Sequence, residues 1–406
     1  MEAFRELGIS EPLLQVIETE KFRVPSEIQE KAVPLILKGQ DVIAGSATGS
    51  GKTLAFVTGV IQNLDGGKGI QALVIVPTRE LSEQVALVFK RYSEHKNLNI
   101  LPVYGGVSIL PQIHSLKNTD IVIGTPGRLL DHLNRDTIDL NEVKVLILDE
   151  ADRMLDMGFL NDVVEIINSC PEKRQTLLFS ATISPDVVHL ARRYMNNPIE
   201  VSAEAYIKPE KITQVYYDID DKLKFSLLVH LLKNENPGLA MVFCNTRVTT
   251  EFIANNLKFS GINALEIHGG LSQEKRNRVI NDFHMKRADV LVCTDIAARG
   301  LDIKGVSHIY NYNIPKDSKD YIHRIGRTAR AGKEGKVINL LVGKDYENFT
   351  NVLRDDKIII EKVDTPEIER SMIRWMPRTR FRRSFGSQGR FGDRENRQRN
   401  KFRRRH

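Results

Sequence analysis

The sequence predicts an α/β protein with two parallel sheets in tandem, followed by a basic segment. Short, continuous apolar runs alternate with longer helical ones, and continuous runs suit strands buried on both faces. The alternation occurs twice, over about 160 to 200 residues each time, the size of a domain with its own core. Only the first span has a Gly-Lys-Thr sequence, at the end of the glycine-rich turn Ser46-Ala47-Thr48-Gly49-Ser50-Gly51-Lys52-Thr53.

In chain order, the first forty residues read as amphipathic helices. Leu13, Leu14 and Ile17, then Ile28, Ala32, Leu35 and Ile36, recur at helical spacing, and Pro25 interrupts them. Strands are expected at 42–44, 72–76, 100–103, 121–123, 145–148 and 176–179, with a helix over 54–63 after the first. Residues 202–210, polar and containing Pro209, read as a linker. Strands resume at 213–217, 240–244, 264–267, 290–293, 308–310 and 337–341, with helices at 222–232, 249–258, 273–284 and 320–325. The expected division is 1–203, a linker at 204–212, 213–365 and a tail at 366–406.

Composition narrows the class. Of 406 residues, 41% are hydrophobic and 27% charged, as in ordinary globular proteins. No apolar run approaches the ~20 residues that cross a bilayer. The start, Met1-Glu2-Ala3-Phe4-Arg5-Glu6, lacks a signal-peptide pattern, so the expected location is cytoplasmic with no membrane partner. Cys170, Cys244 and Cys293 lack paired metal-ligand spacing and read as core positions in a reducing compartment. The net charge of +7 is unevenly spread. From Ser371 to His406 there are 13 basic residues against Asp393 and Glu395, a net of +11; the remaining 370 residues hold 46 basic and 50 acidic groups, a net of −4. With so few aliphatic residues, the tail is expected to be disordered on its own.

Two constellations carry chemistry. A strand, a glycine-rich turn and Gly51-Lys52-Thr53 at a helix start form the layout of a phosphate-binding loop. Its backbone N–H groups and the helix N-terminus favour phosphate oxygens. Lys52 is expected at the β- and γ-phosphates, and the Thr53 hydroxyl on Mg²⁺. The alternative, a Gly/Ser turn before a surface helix, stays open for these eight residues alone, and Ser46 stands where the usual pattern has a glycine. Downstream, an apolar strand ends in Asp149-Glu150-Ala151-Asp152. Open parallel sheets collect ligands at that edge, so Asp149 is expected to hold Mg²⁺, partly through water, and Glu150 to orient or deprotonate an attacking water.

Asp149-Glu150-Ala151-Asp152 resembles the signature of the DEAD-box ATP-dependent RNA helicases, and further motifs of that family follow in order. They are Phe22-Arg23-Val24-Pro25-Ser26-Glu27-Ile28-Gln29 with Phe4 upstream, Pro77-Thr78-Arg79-Glu80-Leu81, Gly105-Gly106, Thr125-Pro126-Gly127-Arg128 and Ser180-Ala181-Thr182. In the second half come Val242-Phe243-Cys244-Asn245-Thr246, Gln273-Glu274-Lys275-Arg276, Thr294-Asp295-Ile296-Ala297-Ala298-Arg299-Gly300-Leu301-Asp302 and His323-Arg324-Ile325-Gly326-Arg327-Thr328-Ala329-Arg330. The resemblance spans roughly residues 4–341. Lys21 and Ala329 stand where the family uses glycine, Ser26-Glu27 replaces Thr-Pro, and Ser82 replaces alanine. Serine at position 46 is no departure from the family.

The resemblance implies two RecA-like domains, ATP and Mg²⁺ as cofactors, and RNA as partner. It places Phe22, Gln29 and Asp302 with residues 46–53 at the nucleotide, and Lys52, Asp149, Glu150, Arg327 and Arg330 in catalysis. Arg79, Gly106, Thr125, Gly127, Arg128, Thr246, Gly270 and Thr294 are implied to grip an RNA backbone, while Ser180 and Thr182 couple hydrolysis to unwinding. Arg327 and Arg330 lie three residues apart, so both can leave one helix face, and a forked guanidinium suits a γ-phosphate. For these arginines the alternative is a solvated basic face, which accounts for Arg324 better than for the other two. His323 reads either as a phosphate contact or as a packing histidine.

The implied activity is an RNA-stimulated ATPase that closes on single-stranded RNA and opens short duplexes or remodels RNA–protein complexes. Two other readings are an ATP-dependent RNA clamp or annealing factor, and a DNA translocase, which the segment around Gln29 disfavours. The Arg- and Phe-rich tail reads as an auxiliary RNA-binding arm. A monomer with ribonucleoprotein or RNA-decay partners is the expected setting.

Overall fold

The structure, a computed structural model, describes residues 1–46, 49–203, 212–235, 237–298, 303, 305–329, 334–355 and 358–375. Ala47, Thr48, Asp302, Arg330, linker residues 204–211 and tail residues 376–406 lie outside the described residues.

Each half forms one seven-stranded parallel sheet. The first contains β1 (Val42–Gly45), β2 (Ala72–Ile75), β3 (Ile100–Val103), β4 (Ile121–Gly124), β5 (Val145–Leu148), β6 (Gln175–Ser180) and β7 (Ile199–Ser202). The second contains β8 (Ile212–Asp218), β9 (Ala240–Cys244), β10 (Ala264–Ile267), β11 (Val290–Thr294), β12 (His308–Asn311), β13 (Gly335–Leu341) and β14 (Glu361–Lys362). The orders are β3-β4-β2-β5-β6-β1-β7 and β10-β11-β9-β12-β13-β8-β14, so the second sheet repeats the first strand for strand. This is the tandem RecA-like architecture expected from the motifs.

Burial explains the continuous apolar runs. Val42 and Ala44 pack into the cluster on one face of the first sheet, while Ile43 packs into the cluster on the other. Alternation between two buried faces leaves no polar position in the strand. Phe56, on the helix after β1, sits 5.2 Å from Phe179 of β6 and 6.1 Å from Phe89, which locks that helix to the sheet. Cys170, Cys244 and Cys293 are buried and free. Among the described residues no helix is long and apolar enough to cross a membrane.

The differences from expectation lie at edges and caps. Strands β7 and β14 carry exposed, charged residues and were not distinguishable from loop by apolar pattern; charge on an edge strand discourages pairing with another chain. The helix expected over 249–258 begins at Arg247 because Thr246 Oγ1 accepts the Thr249 N–H at 3.1 Å. The one expected over 320–325 begins at Ser318 because Asp317 Oδ1 accepts the Asp320 N–H at 2.9 Å. Lys21 and Ala329 adopt φ of +62° and +54°. A side chain in this left-handed region costs roughly 1–2 kcal/mol, which accounts physically for glycine at both places in the family.

Candidate functional site

The chemistry-bearing residues gather at the carboxyl edges of both sheets, where open α/β sheets bind ligands. Because the strand orders match, each edge divides in the same way. On the first sheet, Arg79, Gly106 and Thr125 follow β2, β3 and β4, while the phosphate loop, Asp149 and Ser180 sit at β1, β5 and β6. On the second, Thr246, Gly270 and Thr294 follow or end β9, β10 and β11, the equivalent half.

In the phosphate loop, Gly49 and Gly51 have φ of +82° and +96°. A Cβ on Gly51 would lie 2.4 Å from Gln29 Nε2, so this position needs glycine for both space and conformation. Gln29 Oε1 accepts the Ser26 N–H at 2.9 Å and Nε2 donates to the Gly51 carbonyl at 3.0 Å. The glutamine therefore braces the loop from the start of its own helix, and Phe22 is 42% exposed. Phe4, by contrast, is a core residue. Lys52 opens the helix Lys52–Asn63, and its Nζ donates to the Ser46 carbonyl at 2.7 Å. Ser46 Oγ contacts Ser50 Oγ, and the Ser46 N–H donates to Ser180 O at 2.9 Å, tying the loop to the end of β6.

Asp149 is fully buried, and burial pushes its carboxyl up to about 6 against the opposing pull of Lys52. A desolvated carboxylate beside an ammonium and a hydroxyl at a helix N-terminus form a set of groups that fits a triphosphate with a divalent cation. Glu150 has φ of +52°, a strained conformation at the head of the helix Ala151–Asp156. Its Oε2 accepts Arg153 Nη1 at 2.8 Å, and Arg153 is almost completely buried. Arg153 was not singled out from sequence, although its i+3 spacing from Glu150 was available as a signal.

Asp152 joins three motifs. Its Oδ2 accepts both the Thr182 N–H at 3.0 Å and the Thr182 hydroxyl at 2.9 Å, and its own N–H donates to Ser180 Oγ at 3.3 Å. His323 Nε2, from the second sheet's helix Ser318–Ile325, lies 3.9 Å away. Burial works to raise the Asp152 carboxyl, but His323, the Thr182 hydrogen bond and Lys52 together hold it below the usual range. Lys319 on the same helix pairs with Asp156 at 2.8 Å. Arg327 is buried but does not leave a helix face as expected, because the helix ends at Ile325 with Gly326 as its C-cap.

Arg324 is not part of a solvated basic face. It is 1% exposed, makes two 2.6 Å bonds to Asp295, and donates to Asn311 Oδ1, the Asn313 carbonyl and Asn245 Oδ1. Its guanidinium also lies 5.1 Å from the Phe243 ring centroid. This arginine holds together the segments that begin at Asn245 and Thr294.

In the other half of the edge, Gly106 has φ of +81°, and a Cβ on it would lie 1.8 Å from Arg79 Nη1, so a side chain there would be strained and would displace the guanidinium. Arg128 is largely buried: it donates to the Val107 carbonyl at 2.9 Å and to Gln112 Oε1 at 3.1 Å, shaping the Gly105–Gly106 turn. Gln112 Oε1 also meets His132 Nε2 at 3.2 Å, a buried brace absent from the sequence reading. Nothing lies within 4 Å of where a Cβ on Gly127 would stand. The Gly270 N–H donates to His268 Nδ1 at 3.1 Å. Thr294, Asn245 and Asp295 line a cavity of about 310 Å³ whose wall includes Asp156 from the first sheet.

Two sheets that together present a phosphate loop, an Asp–Glu pair and a buried arginine, Arg327, just past the helix Ser318–Ile325 define a nucleotide-dependent motor of the tandem RecA-like class. Residues 26–190 match the DEAD/DEAH box helicase family and residues 223–332 the helicase conserved C-terminal domain. The chain is 42% identical over 376 residues to DEAD-box ATP-dependent RNA helicase CshA of Bacillus cereus, covering 92% of this chain and 71% of that one. Against CshA of Listeria monocytogenes the identity is 45% over 370 residues, with 90% and 71% covered. Among solved structures, S. cerevisiae Dbp5 bound to RNA and ADP BeF3 aligns with a TM-score of 0.81 at 32% identity, covering 90% and 96% of the two chains. A DEAD box protein from Methanococcus jannaschii aligns at 0.56 with 40% identity, covering 89% and 99%. The chain belongs to the DEAD-box ATP-dependent RNA helicases.

Proposed function

We propose that this helicase closes its two sheets on ATP and single-stranded RNA, and that closure locally opens short duplexes or remodels RNA–protein complexes. The observation that carries this reading is the apposition of the helix Ser318–Ile325 to the Asp149–Asp152 segment, with His323 3.9 Å from Asp152 and Lys319 2.8 Å from Asp156. The likeness to Dbp5 bound to RNA and ADP BeF3, at a TM-score of 0.81 over 90% of this chain, supports RNA and a nucleotide as ligands.

In this reading residues 46–53 cradle the phosphates, Phe22 packs on the base, and Gln29 and Asp302 contact the nucleotide. Thr53 and Asp149 hold Mg²⁺, partly through water. Bound there, Mg·ATP supplies the phosphoanhydride whose cleavage drives the cycle. Glu150 takes the proton of the attacking water, and Arg153 fixes its carboxylate. Lys52 from the first sheet, with Arg327 and Arg330 from the second, neutralises the charge that develops on the transferred group. Neither half of the charge set is sufficient, so turnover needs closure. Ser180 and Thr182, through Asp152, connect the nucleotide side to His323 and thus to the second sheet.

RNA runs along the other half of both edges, against Arg79, Gly106, Thr125, Gly127 and Arg128 on the first sheet and Thr246, Gly270 and Thr294 on the second. Phosphate and sugar contacts of this kind do not read sequence. The arginine-rich tail adds an auxiliary RNA-binding arm. The chain acts as a cytoplasmic monomer with ribonucleoprotein or RNA-decay partners.

ATPase measured with RNA, with DNA of the same sequence and without nucleic acid tests the reading, together with displacement of a short RNA duplex. RNA alone is expected to stimulate turnover, and strand release to require ATP. An equal rate with and without RNA would contradict it.

A further inference from the structure

Two of the segments read as RNA contacts meet at a side chain that none of the sequence motifs includes. Gln112 lies on the helix Leu110–Leu116, which follows β3, and is 7% exposed. Its Nε2 donates to the Tyr104 carbonyl at 3.1 Å, at the start of the Gly105–Gly106 turn. Its Oε1 accepts Arg128 Nη1 at 3.1 Å and His132 Nε2 at 3.2 Å. Arg128 Nη2 donates to the Val107 carbonyl at 2.9 Å, at the end of the same turn. The turn is thus gripped on both sides, by the amide itself at Tyr104 and through Arg128 at Val107.

The partners fix the orientation of this amide. A guanidinium only donates and a carbonyl only accepts, so the oxygen faces Arg128 and the nitrogen faces Tyr104. His132 then carries its proton on Nε2, while its Nδ1 lies 2.8 Å from Thr137 Oγ1. The brace continues to a third segment, because Tyr104 Oη donates to Glu83 Oε1 on the helix Arg79–Tyr92. Arg79, which opens that helix, has Nη2 3.6 Å from where a Cβ on Gly105 would stand. Residues that follow β2, β3 and β4 are therefore held as one unit.

We propose that Gln112 is a positioning residue for RNA binding: by bonding Tyr104 and Arg128 at once, it sets the Gly105–Gly106 turn and the Arg128 guanidinium in one geometry. This rests on the reading of Arg79, Gly106 and Arg128 as RNA contacts. Glycine loses more conformational freedom than any other residue when it is fixed, and this turn has two in succession. A turn that RNA had to order would subtract that ordering from the affinity, whereas a braced turn is ordered beforehand. The same bonds hold Arg128, whose Nε faces Asp131 Oδ2 at 3.7 Å, in a single orientation beside the turn. Gln112 carries no charge, so its contribution is geometric.

The test is a double-mutant cycle in the full-length chain, read by fluorescence anisotropy with a labelled 20-nucleotide single-stranded RNA and a non-hydrolysable ATP analogue. Its four proteins are the native chain, Q112M, R128K and the combination. Methionine keeps the volume of Gln112 without its hydrogen bonds, and lysine keeps the charge of Arg128 without the fork that reaches Gln112 and Val107 together. Each single variant should weaken RNA binding about five- to tenfold, the scale of a lost hydrogen bond. The combination should bind no more than about twofold more weakly than either single variant, since both break the same brace. In Q112M the RNA concentration for half-maximal ATPase should rise by the same factor. At saturating RNA, the ATP concentration for half-maximal rate should move less than about twofold. Losses that multiply in the combination, native affinity in Q112M or R128K, or an equal loss for ATP and RNA would overturn the proposal. Arg79→Gln checks the reading beneath it and should lower the salt slope of RNA binding by about 0.7. Native affinity and slope in that variant would instead remove this edge as the RNA-binding one.

Discussion

Arg276 Nε donates to Glu80 Oε1 at 2.8 Å, joining the helix Gln273–His284 of the second half to the helix that follows β2 in the first. The side chains are 11% and 5% exposed, and Gln273 Nε2 adds a 3.2 Å bond to the same oxygen. Removing one member of a buried ion pair costs about 3–5 kcal/mol when the other stays buried. Here opening the two halves returns the survivor to water, so the cost falls on closure and not on folding. Arg276→Ala and Glu80→Gln are expected to raise the RNA concentration for half-maximal ATPase at least about tenfold, with the melting temperature nearly unchanged. An unaltered RNA dependence would show that this pair plays no part in closure.

Glu150→Gln keeps an oxygen for Arg153 but removes the base. Turnover should fall by about 10²–10⁴, the usual contribution of a positioned general base, while RNA and ATP binding persist. ATPase and filter binding on the same preparation check this; a variant hydrolysing at the native rate would strip Glu150 of its role.

Left-handed backbone at Lys21 and Ala329 makes glycine the better residue for conformation, partly offset by glycine's entropy in the unfolded chain. Lys21→Gly is expected to raise the melting temperature by about 1–3 °C, read by calorimetry. A drop would mean that the lysine side chain contributes more than the backbone strain removes.

His132 is buried between Thr137 Oγ1 at 2.8 Å and Gln112 Oε1 at 3.2 Å, and burial, reinforced by Arg128, lowers its pKa from the ordinary 6.5. The unfolded chain therefore binds this proton at a higher pH than the folded one. Stability contributed here is intact above about pH 6.5 and declines as the pH falls towards the lower folded pKa. Melting temperatures from pH 7.5 to 5.5 should drop, and His132→Gln should flatten that component of the slope.

Much of this was legible in sequence. Several strands, such as β1, β2, β4 and β5, stood out because a strand buried on both faces has no polar position, and the phosphate loop and Asp149–Glu150 stood out because their chemistry needs those residues in that order. Edge strands β7 and β14 did not, since exposed Glu200, Glu361 and Lys362 look like loop. Partners distant in sequence were also invisible: Glu80 with Arg276 and Asp156 with Lys319 meet only after two sheets have formed. Arg324 misled for a related reason. An arginine amid other arginines reads as surface, yet its carboxylate and amide partners lie 11 to 79 residues away.

The central claim is that the ATP site is completed by the second half of the molecule. Single-turnover ATP hydrolysis by Arg327→Ala, with saturating RNA and Mg²⁺, tests it most directly. The predicted result is a loss of at least about 10³ in the RNA-stimulated rate, the scale of a missing arginine finger, with ATP binding largely kept. A native RNA-stimulated rate in that variant would contradict the account.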